Sequence, residues 1–456
     1  MLRRLKISLF LSFLYALPYS YAETTYPDRL ELLSQIENRQ FEILEATLAS
    51  YHDRYINGGD DERLLQFALE TLANSNPDYE ILISDWLQLQ PDSFVPHLVR
   101  AYYYYGVAWS WRGHRQLEET SRARLEKMRN YLRLAAADIS QAIELREDLS
   151  AADALALKVL MLLGEKEYQA KTLREALRIH PRSYLVRSAY IWSLKPEWGG
   201  RAEDLMSFIK TIDKDTSDQP LLKNLSGYAD YIFAESLAEQ KRYEDAAIHF
   251  DFAIDKGSDH IIYRERGINH YHLADYEAAR RDFDTALALW PQDPKSLRWR
   301  SHALQRLGHN DIALGDIELA SRLKPMNRYI LKANALLSRK MKRFESVPDS
   351  YERALYYNRD DADIWYERGM HYSHELLNFE AALTDLKRAT ELSPDKPAYW
   401  YEYAAVLHYR LDCTITEPLE KYLALCNSGG SCRTGELKWA RDAQDWLMQT
   451  ERCSSG

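Results

Sequence analysis

The chain has 456 residues, a formal net charge of −10, and 46% hydrophobic against 28% charged residues. An acid surplus of this size argues against general nucleic-acid binding, which needs a net basic face, and otherwise favours only solubility. Gly (17) and Pro (15) are scarce beside abundant Leu, Ala, Glu, Arg and Tyr, so almost everything should be helical, with length enough for two or three domains.

The first residues join a basic start (Arg3, Arg4, Lys6) to an apolar run from Ile7 to about Tyr15 and a small-x-small site at Ser20-Tyr21-Ala22. This pattern predicts a secretory signal peptide over residues 1–22. The run is too short for a comfortable membrane span, no other long apolar run follows, and no cysteine stands where a lipid anchor would need one. The expectation is a periplasmic or secreted protein with no stable membrane span in the mature chain. Loss of Arg3, Arg4 and Lys6 takes the charge from −10 to −13.

Residues 23–215 read as an irregular helical domain. Apolar periodicity predicts helices at about Arg29–Tyr51, Asp61–Leu72, Asp78–Leu89, Phe94–Trp111, Leu117–Leu145, Ala151–Leu163, Tyr168–His180, Ser183–Leu194 and Ala202–Ile212. The sharpest loop signal is Lys195-Pro196-Glu197-Trp198-Gly199-Gly200. The tract Tyr102-Tyr103-Tyr104-Tyr105 covers every side of one helical turn, with Trp109 and Trp111 close behind. Some of these rings must be core, and one or two are free to face a cleft.

Residues 216–410 repeat about every 34 residues. The copies read Tyr243-x-x-Ala246-x-x-x-Phe250-x-x-Ala253, then Tyr276, Ala279, Phe283 and Ala286, then Ala313, Ile317 and Ala320, then Phe344, Tyr351 and Ala354, then Phe379, Ala382, Leu386 and Ala389. Two small residues seven apart share the helix face where a neighbour must come close, and an aromatic or aliphatic group fills the gap between them. Pro291 and Pro325 are 34 apart, while Pro394 falls one residue late, which places an extra residue near Leu376–Asn378. A fixed period of this length means a helical solenoid.

These residues resemble tetratricopeptide repeats (TPR) over about residues 227–410. The resemblance implies an all-α, right-handed superhelix whose first helices line a concave face that holds a peptide or another protein. Ser301 stands where glycine is usual, and Val347 where alanine is. The stretch Leu155 to Pro181 resembles a worn copy of the same unit. The first half also resembles an uncharacterised bacterial domain family found upstream of such repeats. That resemblance is carried by Trp86-x-x-x-x-Pro91-x-Ser93, Trp109-x-Trp111-Arg112-Gly113 and Pro196-x-Trp198-Gly199-Gly200 with Met206 and Phe208. It implies no activity.

Carrying over the groove-lining positions of TPR gives Tyr228, Tyr231, Glu235 and Glu239, then Arg264, Tyr271 and His272, then Lys295, Arg298, His302 and Arg306. Tyr329, Lys332, Arg339 and Lys340 follow, then Tyr366, Met370 and His374, then Tyr401, His408 and Tyr409. The middle three units put a basic strip inside an acidic protein. Clustered cations in a concave groove attract carboxylates or phosphates. The competing reading is that these are solvated faces, or that acids on neighbouring helices neutralise them.

Residues 411–456 carry all four cysteines. Helices ending near Leu411 and spanning about Glu417–Leu425 and Glu436–Gln449 would run up, down and up, which predicts the pairs Cys413–Cys453 and Cys426–Cys432. Such a stapled cap, with Trp439 and Trp446, would cover the open end of the stack. A zinc site is the rival, and it lacks any C-x-x-C pair.

Tests for chemistry single out no catalytic residue, cofactor or metal. His371-x-x-His374-Glu375 offers two imidazoles one turn apart without a third ligand. Gly58-Gly59, Gly199-Gly200 and Gly429-Gly430 read as turns. The sequence therefore points to an exported, non-catalytic interaction scaffold. It would take an acidic peptide or protein segment, or an anionic polymer, at Arg264, Tyr271, His272, Lys295, Arg298, His302, Arg306, Lys332, Arg339 and Tyr366. One alternative is an envelope-glycan or exopolysaccharide-binding protein using the aromatic first half around Trp109. Another is an enzyme with a site near Arg112 and Trp198.

Overall fold

A computed structural model describes residues 26–58, 61–113, 120–213, 220–428 and 432–449. The signal segment, Gly59, the Gly429-Gly430 pair and Cys453 lie outside the described residues. Every regular element among the described residues is a helix, and none is long and apolar enough to cross a membrane. The fold is an all-α helical-repeat solenoid with an irregular helical first half.

The array is a succession of antiparallel pairs. Tyr228–Glu239 pairs with Tyr243–Lys256, His260–His272 with Tyr276–Leu289, and Pro294–Arg306 with Asn310–Leu323. Arg328–Lys340 then pairs with Val347–Leu355, Ala362–His374 with Phe379–Leu392, and Pro397–Tyr409 with Thr416–Asn427. Thr434–Gln449 packs on the last pair. The alanines read as close-contact positions are fully buried, Ala246, Ala253, Ala279, Ala286, Ala313, Ala320, Ala382 and Ala389 alike. At Gly267 an added Cβ would stand 2.7 Å from Phe283 Cε1, so only glycine fits there. Ser301, one period on, is tolerated because its hydroxyl donates to Ala313 O at 2.7 Å. Val347 is fully buried and opens a second helix of 9 residues, where its counterparts run to 14.

Each turn inside a pair passes through one left-handed residue: Lys241, Ala274, Gly308, Lys342, Leu377 and Leu411. Their spacings are 33, 34, 34, 35 and 34 residues, and the long one contains the extra residue expected near Leu376–Asn378. A second device also repeats. Arg266 donates to both oxygens of Asp282 (2.7 and 2.9 Å) and to Asp251 (2.7 Å). Arg300 does the same with Asp316 (2.8 Å twice) and Asp284 (2.9 Å). Arg368 does it with Asp385 (2.7 and 2.9 Å) and Glu352. Each guanidinium thus bridges its own second helix to the preceding one, in the bidentate geometry that suits arginine.

In the first half, the stretch expected as one helix at Arg29–Tyr51 is two, Arg29–Glu37 and Phe41–Ile56. Asn38 ends the first, and Arg39 turns the chain in the left-handed region (φ 57°). The long helix begins at Arg122, where the Ser121 side chain caps the Arg124 N–H. The remaining expected helices lie within two residues of those observed.

This half packs along the turns that join one repeat to the next. Arg29 Nε donates to Pro291 O (3.3 Å). Lys324 Nζ donates to Glu70 O and Ala73 O, each at 2.8 Å. The Tyr357 hydroxyl donates to Ser75 O (2.9 Å), and Arg124 Nη1 to Tyr357 O (2.6 Å). Trp290 sits between Tyr26, Phe67 and His260. One buried apolar cluster runs from Leu32 to Tyr357 and so crosses the boundary expected at residue 215. The cap has its own cluster, including Trp400, Ile415, Tyr422 and Ala443, with Trp439 packed edge-on to Tyr401. Cys426 and Cys432 form a disulfide, as the helix order predicts; the pairing expected for Cys413, with Cys453, falls outside the described residues.

Candidate functional site

Acids meet much of the expected basic strip. Arg264 is buried, with Nε 3.0 Å from Glu265 and Nη1 3.3 Å from Asp293. Burial alone would lower its pKa, but Glu265 and Asp293 outweigh that and hold it above the usual value. Lys295 also binds Glu265 (2.7 Å). Burial pushes the Glu265 carboxyl up, yet Lys295 and Arg264 together pull it down to about 2. Lys332 lies 3.7 Å from Glu367, and Arg339 reaches Glu367 (3.6 Å) and Glu375 (2.7 Å). These cations link successive repeats through carboxylates, and the strip is narrower than its sequence suggests.

Arg298 is the exception. It makes no ion pair or hydrogen bond among the described residues, and its guanidinium lies over Trp299 (4.9 Å) and Tyr329 (5.6 Å). Burial lowers its pKa, outweighing Tyr329 and Glu265, and Arg264 adds to the lowering. His302 stands one turn on, where burial and then Arg298 push its pKa down to about 4, so it is neutral at pH 7. Tyr271 packs on Trp299 (5.4 Å) and His302 (6.3 Å), and His272 stacks on Tyr243 at 4.9 Å. Arg306 is exposed and donates to the Tyr276 hydroxyl at 2.9 and 3.0 Å. The fold thus gathers Tyr271, His272, Arg298 and His302 around Trp299, with Arg306 one ring further out on Tyr276. Tyr366 lies elsewhere, against Tyr399 at 4.7 Å. Trp299 was missed because it occupies no groove position of the repeat; its proximity to Arg298 in sequence was the available signal. Its indole N–H is buried and finds no hydrogen-bond partner among the described residues.

The other sequence candidates separate. His371 is fully buried, 3.3 Å from Glu375, whereas His374 is exposed and 3.9 Å from Glu402. No group of three metal-ligating side chains occurs among the described residues. Gly199 turns in the left-handed region, and a Cβ on Gly200 would overlap Leu194 O at 2.0 Å, so this pair is a tight turn. Tyr102, Tyr103 and Tyr104 are buried, while Tyr105 lines a cleft with Trp109 and Trp198. Arg112 is not part of that cleft; it donates to Thr120 (3.0 Å).

Helix pairs of this period, with these buried alanines and repeating turns, form a TPR-like helical-repeat fold. Residues 29–174 match the model of a family described as "Domain of unknown function (DUF4034)". No curated protein matches the chain. Among solved structures, the C-terminal part of a TPR repeat-containing protein from Cytophaga hutchinsonii is similar at 18% identity. The match covers 49% of this chain and 90% of that one, with a TM-score of 0.42. MamA from Desulfovibrio magneticus RS-1 is similar at 20% identity over 38% of this chain and 99% of its own (TM-score 0.36). YrrB, described as a TPR protein with an unusual peptide-binding site, is similar at 19% identity over 43% and 97% (TM-score 0.36).

Proposed function

We propose that this protein is an exported, non-catalytic interaction scaffold that seats an acidic segment of a protein partner at Arg298. The observation that carries this reading is the isolation of that guanidinium. It is partly desolvated between two aromatic rings and forms no direct pair with a carboxylate among the described residues, Glu265 acting on it only at longer range, whereas Arg264, Lys295, Lys332 and Arg339 are all engaged. A carboxylate from outside would complete a bidentate pair in a low-dielectric setting, where such pairs are strongest. Tyr271, Trp299 and Tyr329 supply rigid amphipathic contact area around it.

The test is fluorescence anisotropy of a labelled Glu/Asp-rich peptide at low salt. Arg298→Glu is expected to weaken binding at least about tenfold, the loss of one charge-assisted contact. Arg306→Ala should change it less. Unchanged binding to Arg298→Glu would refute the site. Equal capture of polyphosphate would replace the peptide partner with an anionic polymer. Export is tested by cell fractionation and N-terminal sequencing, which should read from Glu23.

A further inference from the structure

We propose that the cleft between the first half and the array is a second binding site, shaped for a short neutral oligosaccharide. The cleft encloses about 400 Å³, within the range of small-molecule sites. Neither half forms it alone. Trp109 comes from Phe94–Arg112, Trp192 and Trp198 from the segment around the Pro196 turn, and His260 and Trp290 from the second repeat of the array. Trp109 and Trp198 meet edge to face at 6.1 Å, and His260 lies flat on Trp290 at 4.8 Å.

The polar groups among these rings decide the ligand class. Lys158 lines the cleft and makes no ion pair or hydrogen bond among the described residues. Glu70 accepts from Gln66 (2.7 Å) and has lone pairs to spare. The Tyr228 hydroxyl is buried beside Tyr184 and Asp259, which occupy it within the protein, so it offers the ligand little. A fatty chain would dehydrate Lys158 and Glu70 and give them nothing in return. An anion would meet Glu70 and Glu197 as well as Lys158 and Arg63, so a net charge gains little there. A pyranose ring fits both demands: its C–H faces pack on indole, and its hydroxyls both donate to Glu70 and accept from Lys158. Trp109 also lines an adjoining hollow of about 230 Å³, with Asn74, Ser75 and Asn327. The seam therefore has room for linked sugars.

This site is independent of Arg298. The experiment is tryptophan-fluorescence and calorimetric titration of the full chain with chitotriose, cellotriose and maltotriose, with octanoate as an apolar control. At least one trisaccharide is expected to give saturable quenching with Kd about millimolar or tighter. Trp109→Ala should abolish it, Lys158→Ala should weaken it several-fold, and Arg298→Glu should leave it unchanged. Trp198→Ala serves if Trp109→Ala melts early. The proposal is overturned if no trisaccharide binds, if binding survives both tryptophan variants, or if octanoate occupies the cleft more tightly than any sugar.

Discussion

The array and the first half are both helical, yet they are held in different ways. In the array the pairs repeat the same devices: a left-handed residue in each turn, buried alanines on the second helices of the first five pairs, and in three pairs an arginine clamped between two acids. Its stability is local, as expected for stacked repeats. The first half has no such series and leans on the array through Trp290, Lys324 and Tyr357. Regularity makes exceptions visible. Asn334 occupies the clamp position of the fourth pair and makes long hydrogen bonds to Ser321 and from Ser338, each 3.4 Å, and Arg298 is a groove cation with no direct acid partner among the described residues. Irregularity gives something else, a cleft that exists only where the two halves dock.

If the clamps hold the array, breaking the most buried one should cost most. The Arg368 and Asp385 side chains are only 10% and 3% exposed. Arg368→Leu leaves the Asp385 carboxyl, already pushed up by burial, without its cation. The expected loss is about 3–5 kcal/mol in urea unfolding. Arg368→Leu with Asp385→Leu should recover most of it, because the pair as a whole repays little more than its desolvation. A double variant as weak as the single one would show that the clamp contributes beyond mutual neutralisation.

The seam is tested next, at Lys324. Lys324→Met leaves the carbonyls of Glu70 and Ala73 without their donor, an expected loss of about 1–3 kcal/mol. Proteolysis should then reach the first half before the array. The seam also carries a pH signature. Burial, with Arg29 adding to it, lowers the Lys324 pKa from 10.5 to about 8. Between those values the unfolded chain binds more protons than the folded one, so stability rises with pH in that window. Lys324→Met should lose that rise while Tyr357→Phe keeps it.

Much of this fold was legible because a 34-residue period constrains both helices and the turns between them. The proline that came one residue late located the insertion at Leu377. The break at Arg39 was not legible, because a left-handed arginine carries none of the glycine signal that marks such turns. The groove positions were legible as an inventory but not as a charge state. Glu265 meets its neighbour Arg264 on the same helix, whereas its pairing with Lys295, and that of Glu367 and Glu375 with Lys332 and Arg339, depends on superhelical stacking. Likewise Trp109 and Trp198 were each noticed, while Trp290 and His260, which close the cleft from the array, are 30 residues apart and look like ordinary repeat residues.

The Arg298 station should also respond to acid. His302 faces Arg298, Tyr271 and Trp299, and its pKa near 4 lies below the 6.5 of the unfolded state. As pH falls from 6.5 towards 4, the unfolded chain takes up a proton that the folded chain refuses, and stability drops. Above pH 6.5 the contribution is constant. His302→Phe should flatten the acid limb measured by thermal melts between pH 4 and 7, an effect absent at neutral pH. An unchanged limb would place the histidine in water and weaken the desolvated reading of Arg298 with it.

The smallest effect concerns the turns. Ala274 and Gly308 occupy equivalent left-handed positions, at φ 62° and 88°, and both are exposed. A Cβ is disfavoured in this region, so Ala274→Gly should stabilise by about 0.5 kcal/mol and Gly308→Ala should cost about 1 kcal/mol. Nothing lies within 4 Å of a Cβ built on Gly308, so its cost would come from backbone conformation alone. Opposite shifts of the urea midpoint would mean that the repeat imposes the turn and the residue merely tolerates it. A neutral Gly308→Ala would mean that the turn relaxes, and the spacing of left-handed residues would then mark geometry without contributing to stability.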